Sequence, residues 1–121
     1  MESFVKLVDL LPSTTVTSAT TIVGEWFEAD AFNELIAALN VTAFASRVDE
    51  TLTVTIERWS PKTSGWTTIM SFAVINTTGA QEEEKTLGTF LGGRIRARAV
   101  TAGTWSAKSI TFNVRALLKS A

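Results

Sequence analysis

The sequence predicts an all-β fold: a single antiparallel β-sandwich of jelly-roll or immunoglobulin-like type, with about seven to eight strands. Three observations carry this. First, residues 93–100 and 109–118 alternate with a period of two. Arg94, Arg96 and Arg98 take every second place, with Ile95, Ala97 and Ala99 between them. Ile110, Phe112 and Val114 alternate in the same way with Thr111, Asn113 and Arg115. Such a period marks half-buried strands. Second, the strand formers Val, Ile, Thr, Phe and Trp fall in short runs separated by stretches rich in Gly, Pro, Ser and Asn. Third, 121 residues give room for one domain. In so short a chain, a sheet with one wet face buries the other against a second sheet.

Residues 1–13 read as an N-terminal arm or short helix ahead of a sandwich domain at 14–121. Pro12 breaks a helix and pushes Leu11 to an extended conformation. Phe4, Val5, Leu7, Val8, Leu10 and Leu11 are too apolar to hang freely in water. The arm is therefore expected to pack on a neighbouring subunit or on a partner protein. Residues 14–23 (TTVTSATTIV) are the first strand. Gly24 follows, then a bulge or short strand at Glu25-Trp26-Phe27-Glu28.

Residues 30–40 admit two readings. Asp30 as an N-cap with Phe32, Leu35, Ile36 and Leu39 at helical spacing suggests a helix. Alternation of Leu35, Ala37, Leu39, Val41 and Ala43 suggests a strand. The β-branched continuation Val41-Thr42 and the character of the rest favour the strand over 35–43. Residues 51–59 (TLTVTIERW) are a clear strand, with Leu52, Val54 and Ile56 facing in and Glu57 facing out. SPKTSG at 60–65 is a turn by composition, and 66–73 returns as the second arm of a hairpin. Residues 76–85 are a polar loop holding the acidic run Glu82, Glu83 and Glu84. A strand near 85–91 leads to Gly92-Gly93. Residues 93–100 and 109–118 then close the domain as a hairpin, linked through Gly103. The expected core is Val16, Ile22, Leu39, Val41, Leu52, Val54, Ile56, Ile69, Phe72, Ile95, Ala97, Ile110, Phe112 and Val114.

The composition excludes several functions. Apolar residues make up 45% and charged residues 19%, with a net charge of −1. That is a folded chain and not a strongly basic nucleic-acid binder. The chain has no cysteine and no histidine. Disulfides, thiolate metal sites, cysteine nucleophiles and the commonest general base are absent with them. No enzymatic activity, cofactor or metal is expected. The N-terminal segment lacks the pattern of a signal peptide, and the mostly apolar run at 35–45 is too short to span a bilayer. No nucleic-acid or membrane partner is expected. Gly92-Gly93 lacks the spacing of a phosphate loop and reads as a bend. Asp49-Glu50 and Glu82–Glu84 match no calcium or glycosidase template and read as solvated loop charge.

Two groups suggest an interaction surface. Arg94, Arg96 and Arg98 form a one-sided stripe, with Arg115 expected on the adjacent strand. Three like charges in a row repel, so acidic partners are expected, either in cis from an adjacent strand or in trans from another protein. Glu82, Glu83 and Glu84 of a neighbouring copy are one candidate. Of the four Trp residues, Trp59 and Trp66 flank the turn, and exposed Trp suits sugar or protein surfaces.

The order strand, Ser60-Pro61-Lys62-Thr63-Ser64-Gly65-Trp66, strand, polar loop, Gly93-Arg94-Ile95-Arg96-Ala97 resembles small virion proteins of tailed bacteriophages. That group carries a Ser-Pro-Asp-Gly-x-x-Trp hairpin followed by a Gly-x-x-Ile-Arg strand. Leu39-Asn40-Val41-Thr42-Ala43 is similar to its Leu-x-Val-Thr-Ala strand. The resemblance covers about residues 31–118, on the spacing of strand signals. It departs at Lys62-Thr63, which stands in place of Asp-Gly. It implies a non-enzymatic capsid decoration or cement protein that resides in the virion and is assembled in the host cytoplasm. Such a protein would bind the major capsid protein and form a homo-oligomer, with a trimer favoured. The second reading is a carbohydrate- or receptor-binding module of the phage tail. The residues put forward for an interface are Phe4, Leu7, Leu10, Leu11, Trp59, Trp66, Arg94, Arg96, Arg98, Arg115 and Glu82–Glu84.

Overall fold

The computed structural model describes residues 5–45, 47–88 and 92–120. Among them lie nine strands and no helix: β1 (Val5–Val16), β2 (Thr21–Val23), β3 (Phe27–Glu28), β4 (Glu34–Phe44), β5 (Thr51–Ser60), β6 (Gly65–Ser71), β7 (Gln81–Leu87), β8 (Arg94–Ala102) and β9 (Ile110–Lys119). Sheet A has the order β1-β9-β4-β7, and sheet B the order β2-β8-β5-β6, with β3 also on β8. All pairings are antiparallel.

The pairings nest. The tight turn at 61–64 joins β5 to β6; outside it β4 meets β7, then β2 and β3 meet β8, and finally β1 meets β9. The chain is thus one long folded ribbon. Rolled up, it sets β4 beside β9 and β5 beside β8. This is the jelly-roll member of the two expected topologies.

Alternation explains the core. In β4 the side chains of Leu35, Ala37, Leu39 and Val41 point inward, so this segment is the strand expected and not a helix. The inner faces of β5, β8 and β9 bring Leu52, Val54, Ile56, Ile95, Ala97, Ile110, Phe112 and Val114 to the same core. Each large side chain buried there contributes about 1.5–3 kcal/mol before entropy is subtracted. Ile22 and Ile69 are half-buried at its margin.

Five expectations are corrected. The arm at 1–13 is in its described part a strand: β1 runs through Pro12 and pairs with β9. Pro12 is tolerated because β1 is an edge strand and its ladder shifts register between Asp9 and Leu11 and again before Thr14. The strand at 14–23 is two strands. The chain crosses between sheets at 17–20, where the Thr101 hydroxyl donates to Ser18 C=O at 2.7 Å and accepts from Thr20 N–H at 2.9 Å. The closing hairpin does not exist as a pair, because β8 lies in sheet B and β9 in sheet A. A period of two identifies strands, but it does not name their partners. The acidic run is not in a loop; it belongs to β7. Asp49-Glu50 is not simply solvated charge, because Glu50 is completely buried.

Glu50 sits where the β4–β5 and β8–β9 links cross the same end of the sandwich. Its carboxylate accepts from Val48 and Asp49 N–H at 3.1 and 2.9 Å and meets Lys108 Nζ at 2.8 Å. Asp49 accepts from Thr104 N–H at 3.1 Å. Trp105 stacks on Phe44 at 5.9 Å beneath the crossing. Gly103 has φ +104°, and a Cβ there would lie 2.8 Å from the Asp49 carbonyl oxygen. Only glycine fits this backbone at this approach.

Candidate functional site

The outer face of sheet B gathers five of the predicted interface residues: Arg94, Arg96 and Arg98 of β8 with Trp59 and Trp66 of the β5–β6 hairpin. On β8 the inward places go to Ile95, Ala97 and Ala99, so Arg94, Arg96 and Arg98 must share the outer face. Each meets a different neighbour. Arg94 pairs in register with Glu28 of β3, with Nε 3.7 Å from Oε1. Its guanidinium lies 4.2 Å above the ring of Trp26. Arg96 is opposite Glu57 of β5, and Nε donates to Oε1 at 2.9 Å. Its guanidinium lies 4.0 Å above Trp66. Trp66 in turn meets Trp59 edge-on at 5.6 Å across the β5–β6 hairpin. Arg98 is opposite Thr55 and Val23, is exposed, and forms no ion pair among the described residues.

The repulsion along the stripe is therefore relieved within the chain at Arg94 and Arg96, by Glu28 and Glu57. It is left standing at Arg98. Around Arg98 and Arg94, Val23 and Trp26 expose 45% and 47% of their surface, which places apolar area beside unspent charge. An Arg–aromatic surface of this kind suits protein recognition. One face of Trp26 and one of Trp66 is already covered by a guanidinium, which reduces what either ring offers a sugar.

The other predicted residues are dispersed. Phe4 lies outside the described residues. Leu10 and Leu11 are 0% and 3% exposed and belong to this chain's own core, so they are not a docking surface. Leu7 is exposed on the outer face of sheet A. Arg115 is on β9 in sheet A, away from the stripe, and pairs with Asp9 at 2.9 Å. The acidic run is split by the pleat of β7. Glu82 and Glu84 face out, while Glu83 faces in and accepts from Ala73 N–H at 2.7 Å. Lys85, on the same inward face, donates to Ser71 C=O at 2.6 Å. Glu83 and Lys85 thus close the open side of the sandwich onto sheet B. Glu83 is therefore bound within the chain and is not free for a neighbour's arginines.

Trp26, Glu28 and Val23 complete the surface. Val23 and Glu28 were missed in the sequence, because each lies in a strand of two or three residues, too short for a period to register, and Trp26 stands in the link between those strands. A cleft of about 510 Å³ opens beside this surface, between β1 and residues 23–25, with Asp9 and Glu25 in its walls. Among the described residues, no group of three or more acidic side chains converges as a metal site would need.

No family model matches the chain, and no curated protein does. Solved structures do. The chain is similar to a chain of the infectious bursal disease virus Gx strain structure, with a TM-score of 0.66 and 15% identity over 99% of its length. It is similar to the VP2 subviral particle of the same virus, with a TM-score of 0.62 and 14% identity over 98% of its length. The T13 particle of that virus gives a TM-score of 0.64 at 14% identity over 98%. The protein spans about a third of the viral chain in each case, from 31% to 32%. At these identities the likeness is one of fold.

Proposed function

We propose that the protein is a non-enzymatic structural subunit of a bacteriophage virion, a decoration or cement protein. In this reading it self-associates, with a trimer as the oligomer, and binds the major capsid protein through the outer face of sheet B. The observation that carries the reading is the Arg–Trp surface around Arg98, which holds an unpaired guanidinium beside exposed Val23 and Trp26. Two further facts support it: the fold is one found in virus particles, and the resemblance of the hairpin and Arg strand points to phage virions. Attachment at many copies of a weak contact suits such a subunit, because avidity replaces single-site strength.

The test is occupancy on parent virions, stripped and reloaded with purified protein across a salt series. Occupancy is expected to fall with salt and to fall at least about tenfold at fixed salt for Arg98→Glu. Superimposable curves for the two proteins would sink the reading. A glycan- or receptor-binding tail module is the second reading, favoured by the exposure of Trp26. It requires Trp26→Ala to abolish binding to immobilised host glycans. Glycan binding that Trp26→Ala abolishes, together with no measurable occupancy of stripped capsids by the unsubstituted protein, would put the second reading in place of the first.

A further inference from the structure

We propose that the chain pairs with a second copy of itself through the free edge of β1, antiparallel and centred on Leu7, so that two A sheets join into one. A sheet edge is a row of unpaired backbone groups, and proteins blunt such edges with short strands, prolines, bulges and inward-pointing charge. Three of the four edges here are blunted in those ways. Inward-facing Glu83 and Lys85 guard β7 and bind backbone of residues 71–73 beside β6. β2 and β3 are three and two residues long. On β1, the register shifts and Pro12 spoil the ladder from Leu10 to Thr14. That leaves Val5–Asp9, five residues with neither proline nor bulge, of which Leu7 is the midpoint. The segment's one charge on the inward row, Lys6 opposite Leu118, is exposed and constrains the register of a second strand without breaking the ladder.

The outer face of sheet A says what covers this edge. Its middle row runs Ile36, Leu117, Leu7 across β4, β9 and β1 and stops, apolar, at the edge. Val5 and Leu7 are each 58% exposed. A two-fold axis at Leu7 continues the row as Leu7, Leu117 and Ile36 of the second copy. The same axis sets Val5 opposite Asp9 of the second copy and Lys6 opposite Val8. The flanking row then reads Glu34, Lys119, Val5, followed by Asp9 and Arg115 of the second copy, with charges alternating in sign. Within each chain, Lys119 already lies 3.7 Å from Glu34, and Arg115 2.9 Å from Asp9. The neighbouring registers fail. One brings Lys6 against Lys6, and the other brings Leu7 against Asp9 and shortens the ladder to three residues. An apolar centre with a charged, sign-alternating rim is self-complementary in one register.

Five residues of edge bury less than the roughly 1,200 Å² of a stable complex, so the contact is weak in free solution and gains from crowding on a surface. It uses sheet A, leaves the Arg98 surface of sheet B open, and stands whether or not the virion reading holds. The chain has no cysteine, which makes cross-linking clean. Residues directly opposite across an antiparallel pair have Cβ atoms roughly 4.5–5.5 Å apart, close to disulfide reach. Leu7→Cys is expected to form a covalent dimer under mild oxidation about tenfold faster than Glu84→Cys, on the far edge, through its higher effective concentration. A mixture of Val5→Cys and Asp9→Cys proteins is expected to cross-link as the heterodimer, while Val5→Cys alone does not. Equal rates at Leu7→Cys and Glu84→Cys would overturn the proposal. So would a Val5→Cys homodimer forming faster than the Val5→Cys/Asp9→Cys heterodimer, which needs no result from the Leu7 variant.

Discussion

Arg96 and Arg98 stand two residues apart on one strand and answer differently to the same substitution. Arg96 is half-buried against Glu57, which is itself only 8% exposed. Arg96→Glu places two carboxylates at that spot and removes a charge-assisted hydrogen bond and a cation–π contact. A loss of about 1.5–3 kcal/mol is expected in urea unfolding. Arg98→Glu removes no ion pair and is expected to change stability by less than about 0.5 kcal/mol. A stable Arg96→Glu protein would show that the pair is not structural. Glu50 carries the pH dependence. Burial, the largest influence, raises its pKa; interactions with Asp49 and Lys108 and the N–H groups of Asp49 and Val48 outweigh that and hold it well below the ordinary 4.5. A depressed pKa means the ionised form is favoured by folding. Its contribution is therefore complete above about pH 4.5 and drains away as pH falls below that value. Unfolding midpoints are expected to drop between pH 4.5 and pH 2 more steeply for the wild type than for Glu50→Gln. Parallel curves would remove Glu50 as the cause. The stripe itself was legible from its period. Its partners Glu28 and Glu57 were not, because they depend on which strands flank β8. Glu50 was illegible because burial of a loop carboxylate depends on a loop fifty residues away closing over it, roughly the chain distance from Asp49 to Thr104.

At the scale of elements, β7 and the β8–β9 link matter most. Glu83→Ala leaves the Ala73 N–H unmatched and uncovers the β6 edge. The expected cost is about 1–2 kcal/mol, with faster aggregation on heating than Glu84→Ala, whose side chain faces solvent. Equal aggregation of the two variants would refute the guarding role. Gly103→Ala is expected to cost about 1–3 kcal/mol, from positive φ and from close approach to Asp49, both of which glycine alone accommodates. Strand existence was readable wherever a side-chain alternation ran for seven residues or so, as in β4, β5, β8 and β9. The acidic run of β7 was misread as loop because its inward positions, Gln81, Glu83 and Lys85, are polar. An edge strand that protects itself with inward charge erases the very alternation by which strands are recognised.

At the scale of the whole molecule, β1 decides whether the sandwich closes. It buries Val8, Leu10, Leu11 and Val16. Gly24 packs so closely on it that a Cβ there would collide with the Leu10 carbonyl. Removal of residues 1–11 is therefore expected to abolish cooperative unfolding and not merely weaken assembly. A truncated protein with a wild-type unfolding transition would restore the arm. The nesting of the ribbon has a further consequence, in time. β1 leaves the ribosome first, yet its ladder partner β9 comes last among the strands. Loop closure is cheapest at the β5–β6 turn and dearest for β1 with β9, so zipping is expected to start at the turn and end at β1. Throughout synthesis, Leu10 and Leu11 have nowhere to go. Leu10→Ala is accordingly expected to speed unfolding and leave the refolding rate nearly unchanged, while Ile56→Ala slows refolding. The opposite pattern in stopped-flow chevrons would reverse the order. Until the last strand is made, the nascent chain displays an apolar β1 segment with an open edge, an exposure during which chaperone capture or pairing with another nascent copy competes with folding.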